Sequence, residues 1–123
     1  IPSKRGQGTR LELRSPDPSC NPYLALAVTL KAGLDGIRKK TQPPAPVNRN
    51  IFDMTDCERE KECIRCLPGN LKEAMEALDK DSLIRNALGR HIDSRYREAK
   101  RIEWKKYKTQ ISQWELDQYL SKF

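Results

Sequence analysis

The stretch Asn21 to Lys40, NPYLALAVTLKAGLDGIRKK, constrains the fold more than any other part of the chain. Asn21 is a strong N-cap residue, and Pro22 falls at the first helical position, where its missing N–H costs nothing. From Tyr23 to Leu34 apolar residues occur nearly all round, broken by Thr29 and Lys31. A helix of that kind is expected to be buried on more than one side. Ala25, Ala27, Ala32, Gly33 and Gly36 leave room for close backbone approach, and Arg38, Lys39 and Lys40 suit the negative end of the helix dipole. The chain is therefore expected to organise around one buried helix.

The segments on either side read differently. Residues 41–50, TQPPAPVNRN, form a connector, because prolines remove donors and fix φ. Before the helix, Thr9 to Arg14 alternates as a β-strand does, with Leu11 and Leu13 on one face and Arg10, Glu12 and Arg14 on the other. Ser15-Pro16-Asp17-Pro18 ends it.

Downstream the signals are helical. Thr55 with Glu58 and Ser112 with Glu115 have capping-box spacing. Asn70 caps a stripe of Leu71, Ala74, Met75 and Leu78, and Asp81 caps one of Leu83, Ile84, Ala87 and Leu88 that stops at Gly89. Residues 90–108 make a long charged helix. Trp114, Tyr119, Leu120 and Phe123 give the last ten residues a surface built to dock. The expected fold is α+β and mostly helical: one or two N-terminal strands followed by five or six helices. Residues 1–18 form a loop and strand, 21–40 the buried helix, 41–50 the connector and 51–123 a helical region.

Composition narrows the function. The 24 Lys and Arg against 17 Asp and Glu give a net charge of +7 over 123 residues. The basic excess is scattered among acidic residues, with no helix-turn-helix, zinc-finger or aromatic RNA-binding signature, so no nucleic-acid partner is expected. No apolar run reaches membrane-spanning length, so no membrane partner is expected and a cytoplasmic location is the default. A start at Ile1 without methionine points to an excised piece. Cys63 and Cys66 form a lone C-x-x-C, and with Cys57 and His91 they are a weak zinc set; free thiols, Cys20 included, are the plainer reading.

The row Arg10, Glu12, Arg14 admits two readings. It can be a solvated strand face whose pairs are worth roughly 0–1 kcal/mol. It can also be an edge that needs both signs, arginine forks for phosphate or carboxylate and a glutamate for a divalent cation.

In order along the chain, TRLELRSPDPSCNPYLALAVTLKAGLDGI, PVNRNIFDM, LPGNLKEAMEAL and EAKRIEWKKYKTQISQWELDQYLSKF resemble the C-terminal end of the catalytic domain of type I (bacterial or archaeal) glutamine synthetases. The resemblance covers essentially all 123 residues. It implies an ATP-dependent ligase that joins ammonia to glutamate through a γ-glutamyl phosphate. Two Mg2+ or Mn2+ ions would lie between neighbouring subunits of a dodecamer. Glu12 matches a metal-ligating glutamate and Arg10 an arginine directed at ATP phosphate. Arg14 matches an arginine that contacts substrate glutamate and the transferring phosphoryl group. Arg5 and Gln7 lie in the counterpart of a loop near the nucleotide. Phe52 stands where many enterobacterial-type members carry an adenylylated tyrosine, so that switch is expected to be absent at this position. The other metal ligands and the ammonium-site aspartate of the family would lie upstream of Ile1, so the 123 residues alone are expected to be inactive. The alternatives are a non-catalytic relative or assembly module, or a basic helical module that binds nucleic acid or protein.

Overall fold

The computed structural model describes residues 6–122. They contain five α-helices: α1 (Pro22–Arg38), α2 (Asp56–Lys61), α3 (Leu71–Lys80), α4 (Ser82–Tyr107) and α5 (Gln113–Tyr119). Two 3-10 turns, Ile51–Asp53 and Leu120–Lys122, complete the regular structure. The chain divides into two units, Ile1–Leu67 and Pro68–Phe123.

No β-strand occurs among the described residues, which overturns the expected α+β class. The alternation at Thr9–Arg14 is real, but a strand is a paired element, and no described segment lies alongside to complete a ladder. Leu11 and Leu13, which the alternation places on one face, are 84% and 59% exposed.

In the first unit, α1 begins as its sequence dictates. The Asn21 side chain accepts from the Tyr23 and Leu24 amides at 3.0 and 3.3 Å. The helix ends in a Schellman turn: Thr41 N–H donates to Gly36 O at 2.9 Å and Lys40 N–H to Ile37 O at 3.1 Å. Lys40 takes the left-handed position, φ 52°, that glycine usually fills. Contrary to the expectation of a buried helix, no residue of α1 is buried. Leu24, Ala25 and Val28 are half-covered, whereas Leu26, Leu30, Leu34 and Ile37 form an exposed stripe because no described element lies over them.

After the connector, Asn50 caps the Ile51–Asp53 turn, and Met54 is buried at its end. Both halves of the Thr55–Glu58 capping box form. Arg49 clamps the connector onto α2, with Nη1 3.1 Å from Glu58 Oε1 and Nη2 2.6 Å from Glu62 Oε1. A second Schellman turn closes α2, with Ile64 N–H to Arg59 O at 2.8 Å and Cys63 N–H to Glu60 O at 3.0 Å. Cys63 is left-handed there, φ 55°.

In the second unit α3 packs against α4. Leu71, Met75 and Leu78 of α3 are half-buried, as are Leu83, Ile84, Ala87 and Leu88 of α4. The stop expected at Gly89 is a break inside α4: φ 74° and ψ 156° there are not helical, yet the helix resumes at once. Ser112 and Glu115 form the second capping box, and Trp114 meets Tyr119 edge-to-face with centroids 6.1 Å apart. Phe123 lies outside the described residues.

Candidate functional site

The charged row sits between two tight turns. On its N-terminal side Thr9 N–H donates to Gly6 O, and Gly6 N–H donates to Thr9 Oγ1, each at 3.0 Å. Gly6 holds φ 113°, which a side chain would strain. On the other side Asp17 accepts from the Ser19 amide at 2.7 Å and the Ser19 hydroxyl at 2.6 Å, while Cys20 N–H donates to Asp17 O at 3.0 Å. That turn leads directly into the Asn21 cap of α1.

Between the turns, Glu12 gathers both arginines. Its Oε1 pairs with Arg10 Nη2. Its Oε2 accepts from Arg14 Nη2 at 2.8 Å and Nε at 3.3 Å. Arg10 also donates through Nη1 to Gly8 O at 3.0 Å. Contacts between residues two apart cannot form across a helix face, so the period-two arrangement of these side chains survives without a sheet. The Glu12 side chain is 28% exposed, against 60% for Arg10 and 87% for Arg14. The carboxylate is thus the half-covered hinge of the row, and the guanidiniums are its open arms. Hydrogen bonds from Arg14 first, and Arg10 second, hold the Glu12 carboxyl below its ordinary range. The same pairing raises Arg14.

Two guanidiniums offer an anion outward-facing N–H groups and excess positive charge, which fits a phosphate or a substrate carboxylate. For a divalent cation the fit is partial. Mg2+ and Mn2+ favour six oxygen ligands, and Glu12 supplies one carboxylate whose two oxygens already hold arginines. Among the described residues no group of three or more His, Cys, Asp or Glu side chains could hold a metal. These residues could contribute a ligand to a metal site, but they do not build one.

Gln7 is exposed in the first turn, and Arg5 lies outside the described residues. Cys20, Cys57, Cys63 and Cys66 are free and exposed. Cys63 follows the Glu62 cap of α2 in a left-handed conformation, and the C-x-x-C is not a closed pair. Among the described residues no helix is long and apolar enough to cross a membrane.

A second charged cluster was not anticipated from the sequence. Asp93, buried on α4, lies with Oδ2 3.2 Å from Arg85 Nε and 3.5 Å from Arg97 Nη1. Arg97 Nε reaches to 2.9 Å from Asp79 Oδ1 on α3, close enough to pair but not aligned for a hydrogen bond. Arg101 approaches Asp79 Oδ2 at 3.5 Å. The i, i+4 spacing of Asp93 and Arg97 is the one local signal for it; the other pairs join residues that the helix break and the α3–α4 packing bring together.

Residues 1–119 match the family model described as glutamine synthetase, catalytic domain. The chain is 58% identical over 123 residues to a glutamine synthetase of Thermus thermophilus, spanning all of this chain and 28% of that protein. It is 56% identical over 120 residues to one from Thermotoga maritima and 52% identical over 121 to one from Methanosarcina mazei. In both, the match spans 98% of this chain and 27% of the relative. The chain thus corresponds to a little over a quarter of these relatives' length. With nearly every residue inside the matched region, the chain belongs to the glutamine synthetase catalytic domain family.

Proposed function

We propose that this chain is the C-terminal portion of the catalytic domain of an ATP-dependent glutamate–ammonia ligase, and that Arg10, Glu12 and Arg14 form one wall of its site. The observation that carries the proposal is the ionic row itself. A single half-covered carboxylate holds two outward-facing guanidiniums within a chain of this family.

Phosphoryl transfer depends on positioning and on neutralising charge at the phosphate oxygens. Arg10, anchored through Nη1 to the Gly8 carbonyl, is suited to hold a nucleotide phosphate at a fixed place. Arg14, the more exposed arm, is suited to reach the glutamate carboxylate and the phosphoryl group in transit. Glu12 sets the spacing of the two and offers one oxygen ligand. Magnesium or manganese, when bound, would neutralise phosphate charge there. Ammonia then displaces phosphate from γ-glutamyl phosphate to give glutamine. On this reading the remaining ligands come from other parts of the full-length enzyme, a homo-oligomer like the family's dodecamer, and the 123 residues alone are expected to be inactive. A cytoplasmic enzyme fits this chemistry.

The test is a chimera in which these residues replace the matching segment of the Thermus thermophilus glutamine synthetase. ATP- and ammonia-dependent glutamine formation by the chimera supports the proposal. Its loss on Glu12→Ala, Arg10→Ala or Arg14→Ala supports the site. An assembled, inactive chimera would favour a non-catalytic relative, and full activity in all three variants would remove the row from the site.

A further inference from the structure

We infer that Gly89 is a joint in α4, latched in its bent position by the Asp93 carboxylate. Three observations converge on it. The first is the backbone: Gly89 holds φ 74°, ψ 156° between helical turns on both sides. A side chain built at Gly89 would meet nothing within 4 Å, so crowding does not explain the glycine. Its conformation does, because only glycine moves freely between this region and the helical one. With helical angles at Gly89, Ser82–Tyr107 would be one straight rod; with the observed angles it is two segments meeting at a bend.

The second observation is where the charges lie. Arg85 precedes the break and Asp93 follows it, so their 3.2 Å pair spans the bend as a strap. Asp93 also pairs with Arg97, and Arg97 with Asp79 of α3, which ties the strap to the helix alongside. The third is cover. Asp93 is the one buried charged residue among those described, and its Oδ1 has no protein donor. A carboxylate placed there at such a cost serves the groups it joins rather than solvation. Arg90, Ser94 and Glu98 line an open cleft beside the cluster, so water and salt reach one side of the latch.

Hydrogen–deuterium exchange on the full 123-residue chain tests this, comparing Asp93→Asn, Arg85→Met and, as a control, Arg90→Ala. Amide exchange reports local opening. The expected result is at least about tenfold faster exchange across residues 85–93 in both Asp93→Asn and Arg85→Met, with α3 changed much less and Arg90→Ala within about twofold of the parent. Arg85→Met keeps the Asp93–Arg97 and Arg97–Asp79 pairs and removes, besides the strap, only the Arg85 Nη1 bond to Asp79 O at 3.3 Å, so it tests the strap even where Asp93→Asn unfolds the unit. Equal exchange in all variants overturns the latch. Uniform acceleration over α3, α4 and α5 in Arg85→Met also overturns it, since that outcome marks the cluster as general packing.

Discussion

Arg14 closes on Glu12 with two nitrogens on one oxygen, Nη2 at 2.8 Å and Nε at 3.3 Å from Oε2. That grip leaves Nη1 of Arg14 directed away from the carboxylate, on a side chain that is 87% exposed. The arginine is held at its root and open at its tip. A lysine, with a single point charge, cannot do both.

Arg14→Lys in the chimera should therefore lower kcat by about 10²-fold, and Arg14→Ala by about 10²–10³-fold, by analogy with lost electrostatic donors in other enzymes. Steady-state kinetics at saturating ATP separates the two contributions. A lysine variant as active as the parent would show that the fork geometry is not used.

The Thr55–Glu58 box gives a pH signature. Amide and hydroxyl donation from Thr55, with help from Arg49, pulls the Glu58 carboxyl from 4.5 to about 2. A depressed carboxyl stabilises α2 fully above its unfolded value, near 4.3, and loses that contribution as pH falls through about 2. Carboxyl NMR should find Glu58 titrating well below the ordinary glutamate range, at about 2, and Glu58→Gln should flatten the acid dependence of α2 amide protection. Titration of Glu58 near 4.3 would show the box to be open in solution.

Lys40 and Cys63 occupy left-handed positions where helices usually end in glycine. A non-glycine residue there costs roughly 1–2 kcal/mol, partly offset by the greater entropy glycine loses on folding. Lys40→Gly and Cys63→Gly should each stabilise the chain by about 0.5–1 kcal/mol. Denaturant midpoints check this, and a destabilised Cys63→Gly would point to a role for the thiol.

Asp93→Ala removes a buried carboxylate shared by two arginines. The cost should fall between that of exposed and fully buried pairs, about 2 kcal/mol. Thermal unfolding measures it, with Glu98→Ala as a control that breaks only the exposed pair with Arg95.

What the sequence made legible is what is local. Asn21 with Pro22, Thr55 with Glu58 and Ser112 with Glu115 each complete their contacts within four residues, and each cap forms as its spacing predicts. The strand at Thr9–Arg14 failed for the opposite reason, since a ladder needs a partner that no residue on the strand can specify. The same limit applies to α1, whose all-round apolar character describes what would cover it and not what does. In the charged row, alternation put Arg10, Glu12 and Arg14 together, but not the asymmetry that leaves Arg14 open and Glu12 half-covered. The Asp79–Arg85–Asp93–Arg97 cluster was illegible because Gly89 reads as a stop. Only the helix resuming beyond it brings Arg85 and Asp93 within reach.

The bend at Gly89 also acts as a lever. The helical segment beyond it, Arg90 to Tyr107, is roughly 27 Å long at 1.5 Å per residue. Turning it by about ten degrees at the glycine would sweep its far end, where the tilted rings of Trp104 and Tyr107 lie 5.8 Å apart, through about 5 Å. An adjustment of one residue's torsion angles, too small to disturb any helical turn, is thereby magnified into a displacement as large as a side chain.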